Sequence, residues 1–407
     1  MRICIIAQYF PPTSCAVSKR AFEMARFFAN KKNQVIVICG IPNYPTGIKP
    51  KKYKLKFIKK ERQNSIHIVR TFEIAAKNEG VLKRMLNYIS FSLTSTIYLL
   101  FFLKKQDLII ASSPPLSVPI GPAIFGKIKS KKFILDIRDI WPEVAIDVGM
   151  IKNKLLIKIL KYLEKKLYQK SDLIVTVTRG FQKNIFQKIK NKKIILIPNG
   201  LGSEIEWVKQ KTRRNRNKTN IIYTGNQSHF QDLIQFIEFA KKMHKSKNPY
   251  LKRVAFIFVG EGEKKEKMKN IVKKYNLNNV KFIDQVSRKK AFKYIHNADI
   301  GLVSLANKKS LRSSLPTKTF EYMYFRKPIL TNAKGELKEI IEIKAKCGLY
   351  FKSWNYKDFI KKLLKIIKNK KIARKMGRKG KDYVLKHYLL EKNLEKLNKE
   401  IISLFQD

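Results

Sequence analysis

The stretch RICIIAQYFPPTSCAVSKRAFEMARFFANKKNQVIVIC, residues 2–39, decides the fold of the N-terminal half. Residues 2–7 and 34–39 are short apolar runs, and residues 21–29 between them place their apolar side chains on one helical face. This order predicts a strand, a helix and a second strand. The short spacing between the two strands indicates that they pair in parallel.

The same alternation continues along the chain. Further apolar runs at residues 108–111, 133–137, 173–177 and 194–197 predict a doubly wound sheet in the N-terminal half. From residue 221 the alternation restarts, with strands at 221–224, 255–259, 280–283, 299–305 and 328–331 and helices at 232–243, 263–275, 288–297 and 317–325. The fold class is therefore α/β, with two doubly wound Rossmann-like domains, and we expect the carboxyl ends of both sheets to face a cleft.

A basic stretch with Asn199-Gly200 and Gly202 separates the two alternating regions. We predict an N-terminal domain at 1–197, a linker at 198–220 and a C-terminal domain at 221–385. Residues 386–407 form a terminal helix that could pack back on the N-terminal domain.

Charge is the most unusual feature of the composition. The chain has 88 Lys and Arg against 30 Asp and Glu, a formal net charge of +58, which predicts attraction to nucleic acid, anionic lipid or phosphorylated substrates. The lysines occur on nearly every predicted helix, so a generally Lys-rich surface is an equal alternative. Four cysteines without zinc or disulfide spacing, and a start that lacks the apolar core of a secretion signal, indicate the cytoplasm.

One apolar stretch bears on membrane contact. Residues 85–103 (MLNYISFSLTSTIYLLFFL) are nearly long enough to cross a bilayer and are flanked by Lys83, Arg84, Lys104 and Lys105. Asn87 and several hydroxyl side chains weaken a membrane span. A buried helix, a spanning helix and a helix that contacts an anionic membrane surface all stay open.

Candidate ligand groups follow the strands of the C-terminal half. Gly225 and Asn226 follow its first predicted strand, Gly260 and Gly262 the second, and Gln285 the third. Glycines there let backbone amides approach a phosphate, although each alone could be an ordinary turn glycine.

The densest signal is the segment SSLPTKTFEYM, residues 313–323. Ser313, Pro316 and Thr317 stand where a helix should begin, so free amides would face an anion. Lys318 and Glu321, three positions apart, share a helix face and suit a diphosphate and a pair of sugar hydroxyls. A capped helix with an exposed intrahelical ion pair is the competing interpretation.

The N-terminal half offers a second group of candidates. Arg138 and Asp139 follow a predicted strand directly, where Arg can hold a phosphate and Asp can orient a hydroxyl, unless they form a structural ion pair. The early loop and the start of the first helix add Pro12, Thr13, Ser14 and Arg20 on the acceptor side.

Other reaction classes lack their motifs. The sequence contains neither the phosphate loop of nucleotide triphosphatases nor the glycine fingerprint of dinucleotide enzymes after its first strand. Its five histidines have no metal-ligand spacing, and no nucleophile elbow occurs.

Motifs along almost the whole chain resemble those of retaining glycosyltransferases of family 4, which have the GT-B fold. The resemblance is strongest to the bacterial L-fucosamine transferase branch of O-antigen and capsule biosynthesis. The matching segments, in order, are QYFPP (8–12), PNYPTG (42–47), ASSPP (111–115), DIRDIWPE (136–143), PNG (198–200), YTGN (223–226), VGEG (259–262) and KTFEYM (318–323).

The resemblance implies a UDP-sugar donor on the C-terminal domain. Glu321 would bind the ribose hydroxyls, Lys318 would lie near the diphosphate, and Gln285, Val286 and Ser287 would lie near the base. Ser313 occupies a position where the family often has a glutamate. Arg138, Asp139 and Lys318 would be the catalytic residues, and neither a metal nor another cofactor is expected.

The acceptor implied by the family is a sugar on a polyprenyl diphosphate or a nascent polysaccharide. We therefore expect a hexosyltransferase-type enzyme that transfers an N-acetylated or deoxy sugar with retention, peripheral on the cytoplasmic face of the plasma membrane and without a nucleic-acid partner. The alternatives are a nucleotide-sugar epimerase of the same fold and a basic nucleic-acid-binding protein.

Overall fold

Parallel strands alternate with helices along the chain, because short apolar runs and amphipathic segments follow one another in sequence. The computed structural model describes residues 1–13, 15–44, 47–53, 56–75, 81–147, 149–202, 204–205 and 218–406. The chain divides into two compact units, unit 1 with residues 1–199 and 390–407 and unit 2 with residues 200–389.

Unit 1 is built on one sheet that is parallel except at one edge. Its strands are β1 (Arg2–Ile6), β2 (Gln34–Gly40), β3 (Ile58–Gln63), β4 (Ile66–Thr71), β5 (Gln106–Ser113), β6 (Ser130–Ile137), β7 (Leu173–Thr176) and β8 (Ile194–Leu196). The order across the sheet is β3-β4-β2-β1-β5-β6-β7-β8. In register, Ile5 of the central β1 pairs with Val37 of β2 and Ile110 of β5. The predicted doubly wound sheet is confirmed.

Helices cover both faces of this sheet. They are α1 (Ala16–Asn30), α2 (Val81–Phe101), α3 (Ile120–Lys129), α4 (Glu143–Asp147), α5 (Lys154–Lys170) and α6 (Arg179–Lys188), joined by the C-terminal α15 (Leu390–Gln406). One apolar core holds α1 and α15 against the sheet, and a second core on the other face holds α2, α3, α5 and α6. The last helix of the chain therefore packs in the unit that contains the first.

The apolar stretch at residues 85–103 forms most of α2. None of the described helices is long and apolar enough to cross a membrane, so the spanning alternative fails for α2. Phe91 and Leu99 are buried against the sheet, but Leu93 and Phe101 are 60% and 75% exposed. The helix is thus neither a membrane span nor fully buried.

Unit 2 repeats the design with a second parallel sheet. Its strands are β9 (Thr219–Thr224), β10 (Val254–Val259), β11 (Val280–Ile283), β12 (Ile300–Val303), β13 (Ile329–Thr331) and β14 (Gly348–Tyr350), in the order β11-β10-β9-β12-β13-β14. Its helices are α7 (Ile234–His244), α8 (Pro249–Lys252), α9 (Lys265–Lys274), α10 (Arg288–Asn297), α11 (Lys318–Tyr324), α12 (Glu336–Lys338), α13 (Tyr356–Lys368) and α14 (Lys370–His387). Two apolar cores cover the two faces, so the second predicted sheet is also confirmed.

The region between the units differs from a simple linker. Leu201 forms an isolated bridge with Leu389, and Leu201 and Ile205 are buried in a core of unit 2. The first strand of unit 2 begins at Thr219 rather than at residue 221. Most of the basic part of the predicted linker, residues 206–217, lies outside the described residues.

Candidate functional site

Three glycines shape the carboxyl edge of the second sheet. Gly225 follows β9 with φ +112°, and Gly260 and Gly262 follow β10 with φ +132° and +155°. A Cβ on Gly260 would lie 2.2 Å from the carbonyl oxygen of Gly225, and one on Gly262 would lie 2.5 Å from the backbone of Gln227. These two glycines therefore allow the loops after two neighbouring strands to pack closely.

Lys318 lies at the end of β9, beside the first of these glycines. It is the first residue of α11, and its Nζ lies 3.6 Å from the ring centroid of Tyr223. A Cβ on Gly225 would be 3.3 Å from the same Nζ. Burial lowers the pKa of Lys318 to about 7, and Glu321 opposes this shift.

The ammonium group of Lys318 has no carboxylate within ion-pair distance and no hydrogen-bond acceptor among the residues that the structure describes. The ring of Tyr223 is a weak substitute for an anion. The group is therefore available to a ligand with negative charge at this edge of the sheet.

Glu321 has a different partner from the one that its spacing suggests. It is buried, and its Oε1 accepts a hydrogen bond from Nη2 of Arg288 at 2.7 Å. Nε of Arg288 lies 3.1 Å from Oε1 of Glu204, so the arginine joins two carboxylates. The exposed Lys318–Glu321 ion pair of the competing interpretation does not form, because the carboxylate faces α10. The sequence analysis missed both Arg288 and Glu204.

The start of α11 is less regular than a capped helix. The helix has seven residues, and Thr317 at its N-cap makes no side-chain cap hydrogen bond. Ser313 ends a short 3-10 turn, and the carbonyl of Pro316 accepts a hydrogen bond from the amide of Thr319 at 3.0 Å. Ser313, Pro316 and Thr317 are all half-buried. The hydroxyl group of Thr317 therefore does not cap the helix.

The remaining donor candidates lie on the same edge of the sheet. Asn226 is exposed after β9, and Gln285 is exposed after β11. The backbone amide of Gln285 donates to Oε1 of Glu261 at 3.2 Å. Val286 packs against an apolar core of unit 2. Ser287 is the N-cap of α10, and its Oγ accepts from the amide of Lys290 at 3.4 Å, so this hydroxyl has a structural role. Parallel strands bring all of them to one edge.

In unit 1, Arg138 lies at the carboxyl end of β6 with unused donors. Its Nη2 donates to the carbonyl of Pro114 at 3.0 Å, but its buried Nε and Nη1 have no partner among the described residues. Burial lowers the pKa of Arg138, and Asp136 opposes this shift. A buried guanidinium with two free donors is suited to an anion.

Asp139 lies next to Arg138 but does not form an ion pair with it within the described part of the chain. Burial raises the pKa of Asp139 to about 6, and the charge of Arg138 opposes that rise. The structural ion pair proposed as an alternative for these two residues is therefore absent. The carboxyl group is placed to exchange a proton near neutral pH.

Arg20 requires a correction. Its Nη2 lies 2.8 Å from Oδ1 of Asp136, both side chains are buried, and its Nη1 donates to the carbonyl of Ile197 at 3.1 Å. These contacts join α1, β6 and the end of the β8 segment. The guanidinium of Arg20 thus has a structural role and is not a free ligand for an acceptor.

The loop before α1 lies near Arg138. Thr13 is buried and its amide donates to the carbonyl of Phe10 at 3.1 Å, while Pro12 precedes it in the same turn. Burial raises the pKa of Cys15, and the backbone amide of Ser18 and the nearby charge of Arg138 oppose this shift. Ser14 lies outside the described residues.

Within the described ranges, no group of three or more His, Cys, Asp or Glu side chains is placed to hold a metal ion.

Comparisons with known proteins add a family match and two structural likenesses. Residues 204–383 match the model of the family described as glycosyl transferases group 1. An uncharacterized glycosyltransferase of Methanocaldococcus jannaschii, MJ1069, is 22% identical over 407 residues, 98% of this chain and 97% of the relative.

Among solved structures, sucrose-phosphate synthase from Thermosynechococcus elongatus is similar with a TM-score of 0.75 at 13% identity, over 100% of this chain and 99% of that one. Anabaena HepE in complex with UDP is similar with a TM-score of 0.66 at 12% identity, over 99% and 100%. These likenesses extend over whole chains, and they confirm the expected GT-B fold.

Proposed function

We propose that this chain is a glycosyltransferase that moves a sugar from UDP to an acceptor carried by a lipid or a growing surface polysaccharide, because residues 204–383 match the model of glycosyl transferases group 1 in a chain of GT-B fold. The observation that carries the proposal is the unpaired ammonium group of Lys318 beside Gly225. A diphosphate would supply the negative charge that this group lacks.

The other residues of this edge support a nucleotide-sugar donor. Glu321 is held by Arg288, which fixes its orientation and leaves the second carboxylate oxygen to accept hydrogen bonds from a pair of sugar hydroxyls. The backbone amides of Gly225, Gly260 and Gln285 donate within unit 2, so Lys318 and Glu321 carry the proposed donor contacts on this edge. The similar HepE structure is a complex with UDP, which favours this nucleotide.

Lys318 would act on the departing group. As the bond between the anomeric carbon and the diphosphate oxygen breaks, negative charge grows on that oxygen, and a nearby ammonium stabilises it more than it stabilises the intact donor. Such stabilisation needs no metal ion. Retention at the anomeric carbon and an N-acetylated or deoxy sugar rest on the resemblance of the motifs to family 4.

An anionic acceptor fits unit 1. The free Nε and Nη1 of Arg138 are suited to a diphosphate, and Asp139, with a pKa of about 6, is suited to receive a hydroxyl proton. A sugar on a polyprenyl diphosphate has both a diphosphate for Arg138 and a hydroxyl group for Asp139. Since such an acceptor is embedded in a bilayer, the enzyme would work as a peripheral protein on the cytoplasmic face of the plasma membrane.

The test is release of UDP from a panel of UDP-sugars, UDP-L-fucosamine derivatives first, with and without polyprenyl-diphosphate-linked sugars. We expect release that requires the acceptor. We expect Lys318→Met and Glu321→Gln each to lower kcat/KM on the order of 10²–10³-fold, because each removes a charged contact to the donor. Lys361→Met, on the exposed side of α13, is the matched control and should retain full activity.

Two outcomes would contradict the proposal. Conversion of the UDP-sugar without any acceptor would indicate an epimerase of the same fold. Full activity of Lys318→Met would show that Lys318 has no role in the reaction.

A further inference from the structure

The outward face of α2 is apolar from Leu86 to Phe101. Leu86, Ile89, Leu93, Ile97 and Phe101, here called the apolar stripe, recur at helical spacing and are between 44% and 75% exposed. No charged residue occurs between Arg84 and Lys104. A helix on the surface of a water-soluble domain normally has polar side chains on its outward face. The apolar stripe therefore indicates a surface that contacts a partner rather than water.

The inward face of α2 combines buried apolar residues, such as Phe91 and Leu99, with polar side chains that hydrogen-bond within unit 1. Oγ1 of Thr94 donates to the carbonyl of Phe72 at 2.6 Å, and Oγ of Ser92 donates to the carbonyl of Ser117 at 2.5 Å. Nδ2 of Asn87 donates to the carbonyl of Ile74 at 2.6 Å. The polar side chains that were expected to weaken a membrane span therefore make their hydrogen bonds within unit 1. The residues of the apolar stripe lie on the opposite, outward face.

Two neighbouring helices extend the stripe. Gly121 of α3 packs so closely on α2 that a Cβ there would lie 2.1 Å from Oγ1 of Thr96. Beyond this contact, Ile124 and Ile128 of α3 are 62% and 63% exposed. On α5, which packs on the same face of the sheet, three further exposed apolar residues share one helical face: Leu155, Ile159 and Tyr162. The exposed faces of α2, α3 and α5 are called the three-helix surface.

The three-helix surface is also strongly basic. Helices α2, α3 and α5 contain ten Lys and Arg residues and one acidic residue, Glu164. Glu164 is buried and pairs with Lys188 at 2.7 Å, so it adds no exposed negative charge. By contrast, α15 on the other face of the sheet has three Lys and three Glu. Charge alone does not distinguish this surface, because α13 and α14 of unit 2 contain 13 Lys and Arg and only two Asp. Neither of those helices has an exposed large apolar side chain, so the combination of basic residues with an exposed apolar stripe is what distinguishes the three-helix surface from them.

We infer that the three-helix surface binds the surface of an anionic lipid bilayer. Exposed Leu, Ile and Phe side chains can enter the boundary between headgroups and acyl chains, while lysines such as Lys158 and Lys161 contact anionic headgroups. A second copy of the chain is a poor partner, because two such basic faces repel each other. Membrane binding rests on the proposed function only in that the proposed acceptor is carried by a lipid. Binding of the chain to lipid vesicles can be measured without donor or acceptor.

The experiment is flotation of the full chain with vesicles, without nucleotide. Wild-type protein should bind vesicles of phosphatidylcholine and phosphatidylglycerol in equal parts and bind pure phosphatidylcholine more weakly. Ile97→Ser and Leu93→Ser together should lower the partition coefficient roughly tenfold or more, because both side chains lose their contact with acyl chains. Lys161→Glu should also weaken binding.

Matched variants on the other face separate this surface from general polycation binding. Ile402 of α15 is 45% exposed and Ile97 is 50% exposed, so Ile402→Ser is the apolar control, and Lys396→Glu is the charge control. Both controls should bind vesicles like wild type, and thermal unfolding should show that all variants fold.

The inference is overturned if wild type fails to bind anionic vesicles, or if the α15 variants lose as much binding as the α2 and α5 variants. It is also overturned if the chain dimerises and Ile97→Ser makes it monomeric. UDP affinity should stay unchanged in Ile97→Ser. Vesicle binding without transferase activity would support the membrane-binding surface and contradict the proposed function. Transferase activity without vesicle binding would support the proposed function and contradict the membrane-binding surface.

Discussion

Lys318 and Glu321 stand on one turn of α11, yet the fold separates their partners. The order of strands and helices in the sequence was enough to place both at the carboxyl edge of the second sheet. Their contacts could not be predicted from spacing, because Arg288 comes from another helix and reaches Glu321 only through the tertiary fold. Arg20 shows the same limit, since its partner Asp136 lies 116 positions away.

At the residue scale, Glu73 predicts a pH dependence of stability in unit 1. It is buried and accepts hydrogen bonds from Nε2 of Gln8 at 2.8 Å and from Nδ2 of Asn43. Burial raises the pKa of Glu73 from 4.5 to about 8. The folded state therefore holds a proton that the unfolded chain releases, and the free energy of unfolding falls as pH rises from about 4.5 to 8.

Glu73→Gln removes this titration while keeping the size of the side chain. We expect the stability of the variant relative to wild type to rise with pH between 5 and 8, by at most about 1.4 kcal/mol per pH unit. Thermal unfolding at several pH values measures the difference, and Glu395→Gln on the exposed side of α15 is the control. A constant difference across this range would contradict the assigned pKa shift.

At the element scale, the structure explains what periodicity could predict. Most of the parallel strands were predicted because they are continuous apolar runs, but β4 and β14 were not predicted. The edge strand β3 was not predicted, because Lys59, Lys60, Glu61 and Arg62 give it no apolar alternation. For α2, composition left three alternatives open. Composition could not decide among them, because the face of α2 on which its polar side chains lie depends on carbonyl groups of neighbouring segments in the fold.

The packing of α15 on α1 gives a prediction for an element. Leu397 is fully buried in the core that joins these helices, so Leu397→Ala should cost about 2–5 kcal/mol through lost contacts and a cavity. Hydrogen exchange should become faster in α1 and β2. Ile402→Ala, half-exposed on the same helix, should change stability by less than about 0.5 kcal/mol.

A different pattern would reject this assignment of α15. If Leu397→Ala accelerated exchange in α13 and α14 and left α1 unchanged, the last helix would stabilise unit 2 instead of unit 1.

At the scale of the whole molecule, the sequence predicted two doubly wound sheets, and the structure confirms them. The sequence analysis placed 198–220 in a linker, whereas residues 200–202 and 204–205 belong to unit 2. A basic segment with two glycines resembles a linker because apolar residues such as Leu201 and Ile205 find their partners only in the folded unit. The net charge of +58 was evident from composition, but the exposure of an apolar stripe beside basic residues depends on the packing of three helices.

The central claim is that unit 2 binds the diphosphate of a UDP-sugar through Lys318. Calorimetric titration of the full chain with UDP at pH 7 and pH 8.5 tests it most directly, with Lys318→Met and the control Lys361→Met. Since the pKa of Lys318 is about 7, its charge is largely lost at the higher pH.

We predict that wild type and Lys361→Met bind UDP about tenfold more weakly at pH 8.5 than at pH 7, and that Lys318→Met binds weakly at both. Equal affinity of Lys318→Met and wild type, or a wild-type affinity that does not change between the two pH values, would contradict the claim.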